Sequence, residues 1–389
     1  VSSLLLLSLA LAAQVAPGDA PSTWVEPEAS TLKRVFGVRY TRDYSEFQLL
    51  QTNAEEWTQP LISADRARVY IGTRSGVLEA LDLATGDSLW KRRDMGAIGW
   101  GLAEHRGYVL LGSDSSLVAV DQQLGRDHWK VELDGKLAAG LAVTGTVALA
   151  AIRPNAVVAV DLVKGKVLWR VKRPTPDGIT VRGQCAPTID ERLNRAYLGF
   201  SDGTVVAVDI ATGKTVWLAT LGIRRDFFAD VDAQPILVDS GKALITASYN
   251  GGLFKLDTET GKEIWKQDLK RISALSQAEP GLLMATLGNG QVAGIYAANG
   301  KVRWRYKAKK GYPTRVVPVG HGLVAFGVSQ GPMTVLDVGT GRPVQLLTPG
   351  SGGVSVPPAH EGSDLVLLTN KGMLLVLRHG EGVGAARAR

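Results

Sequence analysis

Apolar residues in this chain come in short runs rich in Val, Ile, Leu and Ala, each bounded by Gly or another turn former. In "GTVVAVDIATGKTVW" (203–217), Val205, Val206, Val208 and Ile210 suit a buried pleated surface. "ATG" breaks the run, Gly213 supplies a positive φ at no steric cost, and a second strand carries Trp217. Asp209, placed before the turn, can accept hydrogen bonds from turn amides. The same alternation parses residues 57 to 93 into four strands: "WTQPLIS" innermost, then "RVYIGTR", "GVLEALDL", and, after an "ATG" turn, "SLWKRR" outermost. Apolar residues at 3.6 spacing, which helical repeats would need, do not mark these units.

The unit recurs. D-x-x-x-G-x-x-x-W occurs at Asp82/Gly86/Trp90, Asp121/Gly125/Trp129, Asp161/Gly165/Trp169, Asp209/Gly213/Trp217 and Asp257/Gly261/Trp265. Two degenerate copies follow: Tyr296/Gly300/Trp304 lacks the Asp, and Asp337/Gly341/Gln345 lacks the Trp. The glycines are 39, 40, 48, 48, 39 and 41 residues apart. A period near 40 with several strands per unit predicts a β-propeller of four-stranded blades. Six of the nine tryptophans occupy this one position, which predicts inter-blade packing.

The ends set the blade count. "GGVSVPPAH", "DLVLLTN" and "GMLLVLRHG" read as three strands lacking an outer one, and "LKRVFGVRYTR" reads as a lone strand before the first blade. Letting the lone strand complete the last blade removes two sheet edges and gives eight blades, with seven as the alternative. The expected organisation is a signal peptide at 1–20, a linker at 21–32, one propeller at 33–379 and a disordered tail at 380–389. "VSSLLLLSLALAAQVAPGDAPS" has too short an apolar core to span a bilayer. It lacks a basic n-region, and Val1 is an unusual first residue, so the natural start is left open.

Charge and chemistry narrow the classes. The net charge is +7, with cations dispersed along the chain, which does not imply nucleic acid. The densest cluster, "RWRYKAKK", alternates Arg303, Arg305, Lys307 and Lys309 along an outer strand. It reads as a charged solvent-facing edge that discourages pairing, with an acidic partner or an anionic lipid surface as the other reading. The single cysteine, Cys185, reads as a small buried hydrophobe. His105, His128, His321, His360 and His379 are isolated, and no CxxC, HExxH, P-loop or GxSxG is present. No catalytic, metal or cofactor residue is assigned, and the turn aspartates read as structural.

Two repeats are longer than the rest by about eight residues. The extra length falls in adjacent connections from an outer strand to the next inner strand, "RPTPDGITVRGQCAP" (173–187) and "GIRRDFFADVDAQP" (222–235). Propeller connections of one kind share a face, so these two sit side by side, where a binding surface is expected. Ile179, Val181 and Arg182 in the first, and Phe227, Phe228, Asp230 and Asp232 in the second, combine apolar anchors with charge. The competing reading sends Ile179, Val181 and Val231 into the core.

The repeat resembles that of quinoprotein-type propellers. Within them, "ITVRGQCAPT" and "ADVDAQPILVDSGKALITASYNGGLFKLDTETGKEIWK" are similar to segments of the BamB family of outer-membrane protein assembly factors, over about residues 33 to 378. The resemblance implies a non-enzymatic scaffold in the periplasm, at the inner face of the outer membrane. It implies that these connections bind the POTRA domains of the BamA-type barrel subunit, with unfolded outer-membrane proteins as further partners. By position, Ile179, Val181 and Arg182 match the family's apolar-x-apolar-Arg element, and Asp230 and Asp232 its paired aspartates. The family's lipobox Cys has no counterpart in the leader. The expectation from this leader is no acyl anchor, with the partner bringing the chain to the membrane. Two other classes compete: a PQQ-dependent quinoprotein dehydrogenase and a cell-wall or sugar-binding propeller. The dehydrogenases are usually longer and carry an adjacent Cys pair and calcium ligands, whereas this chain has one Cys.

Overall fold

A computed structural model describes residues 23–25, 34–44, 58–175, 184–222, 228–349 and 352–380. These form eight antiparallel four-stranded sheets, one of which carries a fifth strand. Blades 1 to 7 are residues 61–92, 98–132, 137–172, 188–220, 236–267, 272–307 and 317–347, and blade 8 is 359–379. The first strand of every blade touches the first strands of its neighbours, blade 8 to blade 1 included, so these strands line the axis of a closed ring.

The fold is all-β and eight-bladed, and its closure follows the sequence reading. Strand Phe36–Asp43 pairs antiparallel with Met373–His379 as the outer strand of blade 8. The leader expected at 1–20 and tail residues 381–389 lie outside the described residues. Within the linker expected at 21–32, Thr23–Val25 pairs in parallel with Trp304, Arg305 and Tyr306 of blade 6. The alternating cations of that edge do not prevent the pairing. Two of them are tied down: Arg305 donates to Gln291 Oε1 (3.2 Å) and Lys307 to the Asn289 carbonyl.

Burial follows position in the blade. Second and third strands have a blade on each side and bury both faces, as in Val147–Ile152 and Ala156–Asp161. Outer strands alternate, as in Lys166–Lys172. The core therefore lies between blades: Leu149, Val157 and Ala159 of blade 3 pack on Leu198, Phe200 and Val206 of blade 4.

The Asp-Gly-Trp spacing has a physical account. Asp82 Oδ1 accepts from the Ala84 and Thr85 amides (2.9 and 2.8 Å), and the other turn aspartates do likewise. Gly213 has φ 70°. A Cβ there would come within 2.6 Å of the Trp169 ring, so glycine is required by backbone and neighbour alike. A β-bulge precedes each Trp: Ala159 pairs with Trp169 and Val160 with Val167, leaving Leu168 unpaired. The bulge turns the ring toward the next blade, where Trp169 Nε1 donates to the Ile210 carbonyl (2.8 Å). It also leaves the bulged residue outside, which explains why Leu89, Leu168, Val216 and Ile264 are exposed.

The same contact passes from blade to blade. Trp90 lies on Gly125, Trp129 on Gly165, Trp217 on Gly261, Trp265 on Gly300 and Trp304 on Gly341. Each Trp therefore serves the glycine of the next repeat and not the one in its own motif. Trp90, Trp129 and Trp217 each donate to a carbonyl of the covered turn, those of Gln122, Leu162 and Thr258 (2.9, 2.9 and 3.0 Å). The packing is less uniform than one repeated residue suggests. Trp217 and Trp304 are buried, whereas Trp90, Trp129, Trp169 and Trp265 keep part of the ring in solvent, because an outer strand has no further strand beyond it. At Trp304, the more deeply buried of the two, Thr23–Val25 pairs along the outer side of the strand. At Gly300 the cover is shared: the Gln267 side chain also lies on the glycine, and its Nε2 donates to the Asn299 carbonyl (2.8 Å).

Closure reproduces this device with different residues. Arg39 is bulged out of the closing strand, and Tyr40 takes the ring position. Tyr40 sits over Gly86, and its hydroxyl donates toward the Asp82 and Leu83 carbonyls (3.3 and 3.4 Å). In blade 7, Gln345 replaces the ring. Its Oε1 accepts from the Val35 and Phe36 amides (3.0 and 2.8 Å), and its Nε2 donates to the Phe36 carbonyl (2.9 Å). Blade 8 has no third-to-fourth-strand turn for a Trp to cover, and the Gln amide satisfies the strand end there. Asp364, buried in blade 8, binds Arg378 (2.9 Å), Arg66 of blade 1 (3.5 Å) and Arg39 of the closing strand (3.8 Å).

Candidate partner-binding face

First and third strands of a blade run one way and second and fourth the other. Every outer-to-inner connection and every second-to-third turn therefore emerges on one face. The 173–187 and 222–235 connections lead into the inner strands Thr188–Asp190 and Ile236–Val238 of adjacent blades. Their ends are bonded to each other: Thr188 Oγ1 donates to the Pro235 carbonyl (2.6 Å), and Gln234 Nε2 donates to the Pro187 carbonyl (3.1 Å).

The remaining stems are equally held. In the first, Arg173 binds Asp202 of blade 4, Asn155 Nδ2 donates to the Pro174 carbonyl (2.8 Å), and Gln184 Nε2 to the Ala156 carbonyl (3.2 Å). In the second, residues 228–231 are stitched to two blades. The Asn250 amide donates to the Phe228 carbonyl (3.2 Å), Ser248 Oγ to that of Ala229 (2.8 Å), and the Tyr249 amide to that of Asp230 (2.9 Å). The Val231 amide donates to the Phe200 carbonyl of blade 4 (3.1 Å).

Of the candidate residues, Ile179, Val181, Arg182 and Phe227 lie outside the described residues. Phe228 is half-buried at φ 64°, its ring 6.2 Å from that of Tyr249. A bulky side chain holds this left-handed conformation at a cost of about 1–3 kcal/mol, offset by the bonds around it. Asp230 and Asp232 are 0% and 7% exposed. Val231 is fully buried against Cys185 and Tyr197, so for Val231 the core reading holds.

Cys185 lies just before the inner strand rather than in it, beneath Gly199. Burial pushes its thiol up to about 12. We predict no alkylation by iodoacetamide at pH 8 in the native protein and full alkylation in guanidinium, read by mass spectrometry. The raised value favours the protonated folded form. Its stabilisation is therefore full below the ordinary thiol range and is lost as pH rises toward 12.

Sequence reasoning did not find Ser248, Tyr249, Asn155 or Asp202, which anchor the stems. "YNG" carried a signal in the quoted resemblance, but a polar turn residue looks the same whether it anchors a loop or faces water. It also missed the extended connections 308–316 and 348–358 on this face. Shortening of the inner strand Val317–Pro318 compensates for the first, so the glycine spacing does not register it.

A family model described as "Outer membrane protein assembly factor BamB" matches residues 74–242 and 229–348. The chain belongs to the BamB family. A Yersinia pestis protein named outer membrane protein assembly factor BamB is 21% identical over 78% of this chain and 80% of its own length. BamB from Moraxella catarrhalis superimposes with a TM-score of 0.74 at 21% identity, covering 88% of this chain and 100% of that one. The quinohemoprotein alcohol dehydrogenase of Comamonas testosteroni superimposes with a TM-score of 0.70 at 15% identity, covering 92% and 78%. At these identities the structural likenesses show the fold, while the family model places the chain within the BamB family. Among the described residues, no group of three or more His, Cys, Asp or Glu is arranged to hold a metal ion.

Proposed function

We propose that this chain is a non-enzymatic scaffold subunit of the machinery that assembles outer-membrane β-barrels. It works in the periplasm at the inner face of the outer membrane, docks onto the POTRA domains of the BamA-type barrel subunit, and aids folding and insertion of outer-membrane proteins. The observation that carries this reading is the pair of extended connections on adjacent blades of one face, with stems bonded to each other and to the ring. A rigid ring presenting a prepositioned face lowers the ordering cost of binding. Family membership supplies the class of partner.

Within this reading the residues take two roles. Ile179, Val181, Arg182, Phe227 and Phe228 make the contact. Asp230 and Asp232, buried beneath the face, hold the second connection and orient Arg182 rather than meeting a partner cation themselves. Binding of the mature chain to the purified POTRA region from the same organism tests this, alongside Arg182→Glu. We expect saturable binding that weakens at least about tenfold in the variant, because reversing an interface charge costs more than about 1.4 kcal/mol. An inert wild-type chain would remove the reading.

A further inference from the structure

The residue four places after the ring position is apolar and closes the blade end on this face in blades 2, 4, 5 and 6, while in blade 1 it is the exposed Asp94. Leu133, Leu221, Leu269 and Ala308 fill this place and are buried. The amides of Leu133, Leu221 and Ala308 donate to the blade's own second-to-third turn at 2.9 to 3.0 Å. In blade 3 the residue is Arg173. Its amide makes the same bond, to the Asn155 carbonyl (3.0 Å), but its guanidinium swings out to Asp202 of blade 4 (3.0 and 2.9 Å). The apolar plug is missing, and a cavity of about 100 Å³ opens at that point.

Leu133 and Ile152 floor the cavity, Arg153, Arg170 and Lys172 rim it, and one carboxylate of the chain, Asp134, also lines it. Arg170 is paired with the exposed Asp134 (2.6 Å). No carboxylate among the described residues lies within ion-pair distance of Arg153 or Lys172. Blades 4, 5 and 6 lack the turn cation of blade 3. Where blade 3 has "RPN" in its second-to-third turn, blades 4, 5 and 6 have "SDG", "YNG" and "GNG". Where its outer strand ends in Arg170 and Lys172, blade 4 has Leu218 and Thr220. Blades 1 and 6 also carry paired cations at these strand places, Lys91 with Arg93 and Arg305 with Lys307, so what sets blade 3 apart is that its cations surround a cavity left without its apolar plug. Apolar walls beneath unneutralised cations strengthen the field at the mouth. The volume equals the share of about three waters, far below the roughly 300 Å³ of a small-molecule site, and suits one carboxylate side chain.

We propose that this cleft takes an Asp or Glu side chain from an acidic segment of the protein docked on the neighbouring connections. The outer strand Lys166–Lys172 runs directly into the 173–187 connection, so a partner seated there reaches the cleft without leaving the face. The identity of that partner rests on the docking reading above, whereas the carboxylate site can be tested separately.

The probe is fluorescent hexaglutamate, titrated into the full mature chain at low salt. The variants are Arg153→Glu/Lys172→Glu and, as a control of equal charge change, Lys164→Glu/Lys166→Glu, exposed at the other end of the same outer strand. We expect saturable binding that falls at least about tenfold in the first variant, less than about threefold in the second, and weakens with added salt. Absence of wild-type binding, or equal loss in both variants, overturns the carboxylate site. The POTRA titration is then run with the same proteins. Unchanged POTRA affinity in the Arg153/Lys172 variant overturns the role of the cleft in docking and leaves the docking reading in place. A wild type that binds hexaglutamate but not POTRA overturns the docking reading and leaves the carboxylate site in place.

Discussion

Deletion of residues 34–44, the closing strand alone, is expected to abolish the cooperative unfolding of the intact propeller. The strand contributes buried Phe36 and Tyr40, a full ladder to Met373–His379, and Arg39 and Arg42. Burial of the two aromatic side chains alone is worth about 3–6 kcal/mol, a large share of a typical stability of about 5–15 kcal/mol. Its removal also exposes Met373–His379 as a long apolar edge, which favours association between copies. We expect loss of at least half the denaturation midpoint by circular dichroism, and oligomers in size-exclusion chromatography. A peptide of residues 34–44 added in trans should restore both. An unchanged midpoint would show that the ring does not depend on this strand. Asp364→Ala should give a milder form of the defect, about 2–3 kcal/mol, because it releases Arg378, Arg66 and Arg39 together.

The second large effect is expected at Trp304, the largest fully buried side chain among the described residues. Its ring covers Gly341 of blade 7, and its Nε1 donates to the Val338 carbonyl (2.8 Å). Trp304→Ala should cost about 3–5 kcal/mol by lost burial and the cavity left behind. A pair of phenylalanine variants separates the ring from its hydrogen bond. Trp304→Phe leaves a carbonyl unsatisfied and should cost about 1–2 kcal/mol more than Trp265→Phe. Trp265 Nε1 has no acceptor among the described residues. The carbonyl in the corresponding place, Ala297, lies 3.5 Å from Lys255 Nζ instead. Chemical denaturation of the three variants checks this, and equal cost for both phenylalanine variants would show that the indole bond contributes nothing.

The candidate face was partly legible in sequence, through local chain length. The 48-residue spacings mark 173–187 and 222–235 because added residues shift every later glycine. The burial of Asp230 was not legible, because a carboxylate in a loop reads the same whether it meets water or a neighbouring blade. The blade 3 cleft was equally hidden. It depends on Arg173 leaving its place for Asp202, a contact between residues 29 apart in the chain.

Sequence pattern was enough for the fold class, the four-strand blade and the shared face of the two long connections, while the pairing of Phe36–Asp43 with Met373–His379 decided eight blades over seven. The first three follow from periodicity and spacing, which are local and repeat along the chain. The tertiary structure alone decided that Tyr40 and Gln345 close the seam, that a bulge aims every ring at the glycine of the next blade, and where the basic cleft opens. Those features depend on contacts between blades. Tyr40 meets Gly86, and Gln345 meets Phe36 some 309 positions away, only once the ring has brought its two ends together.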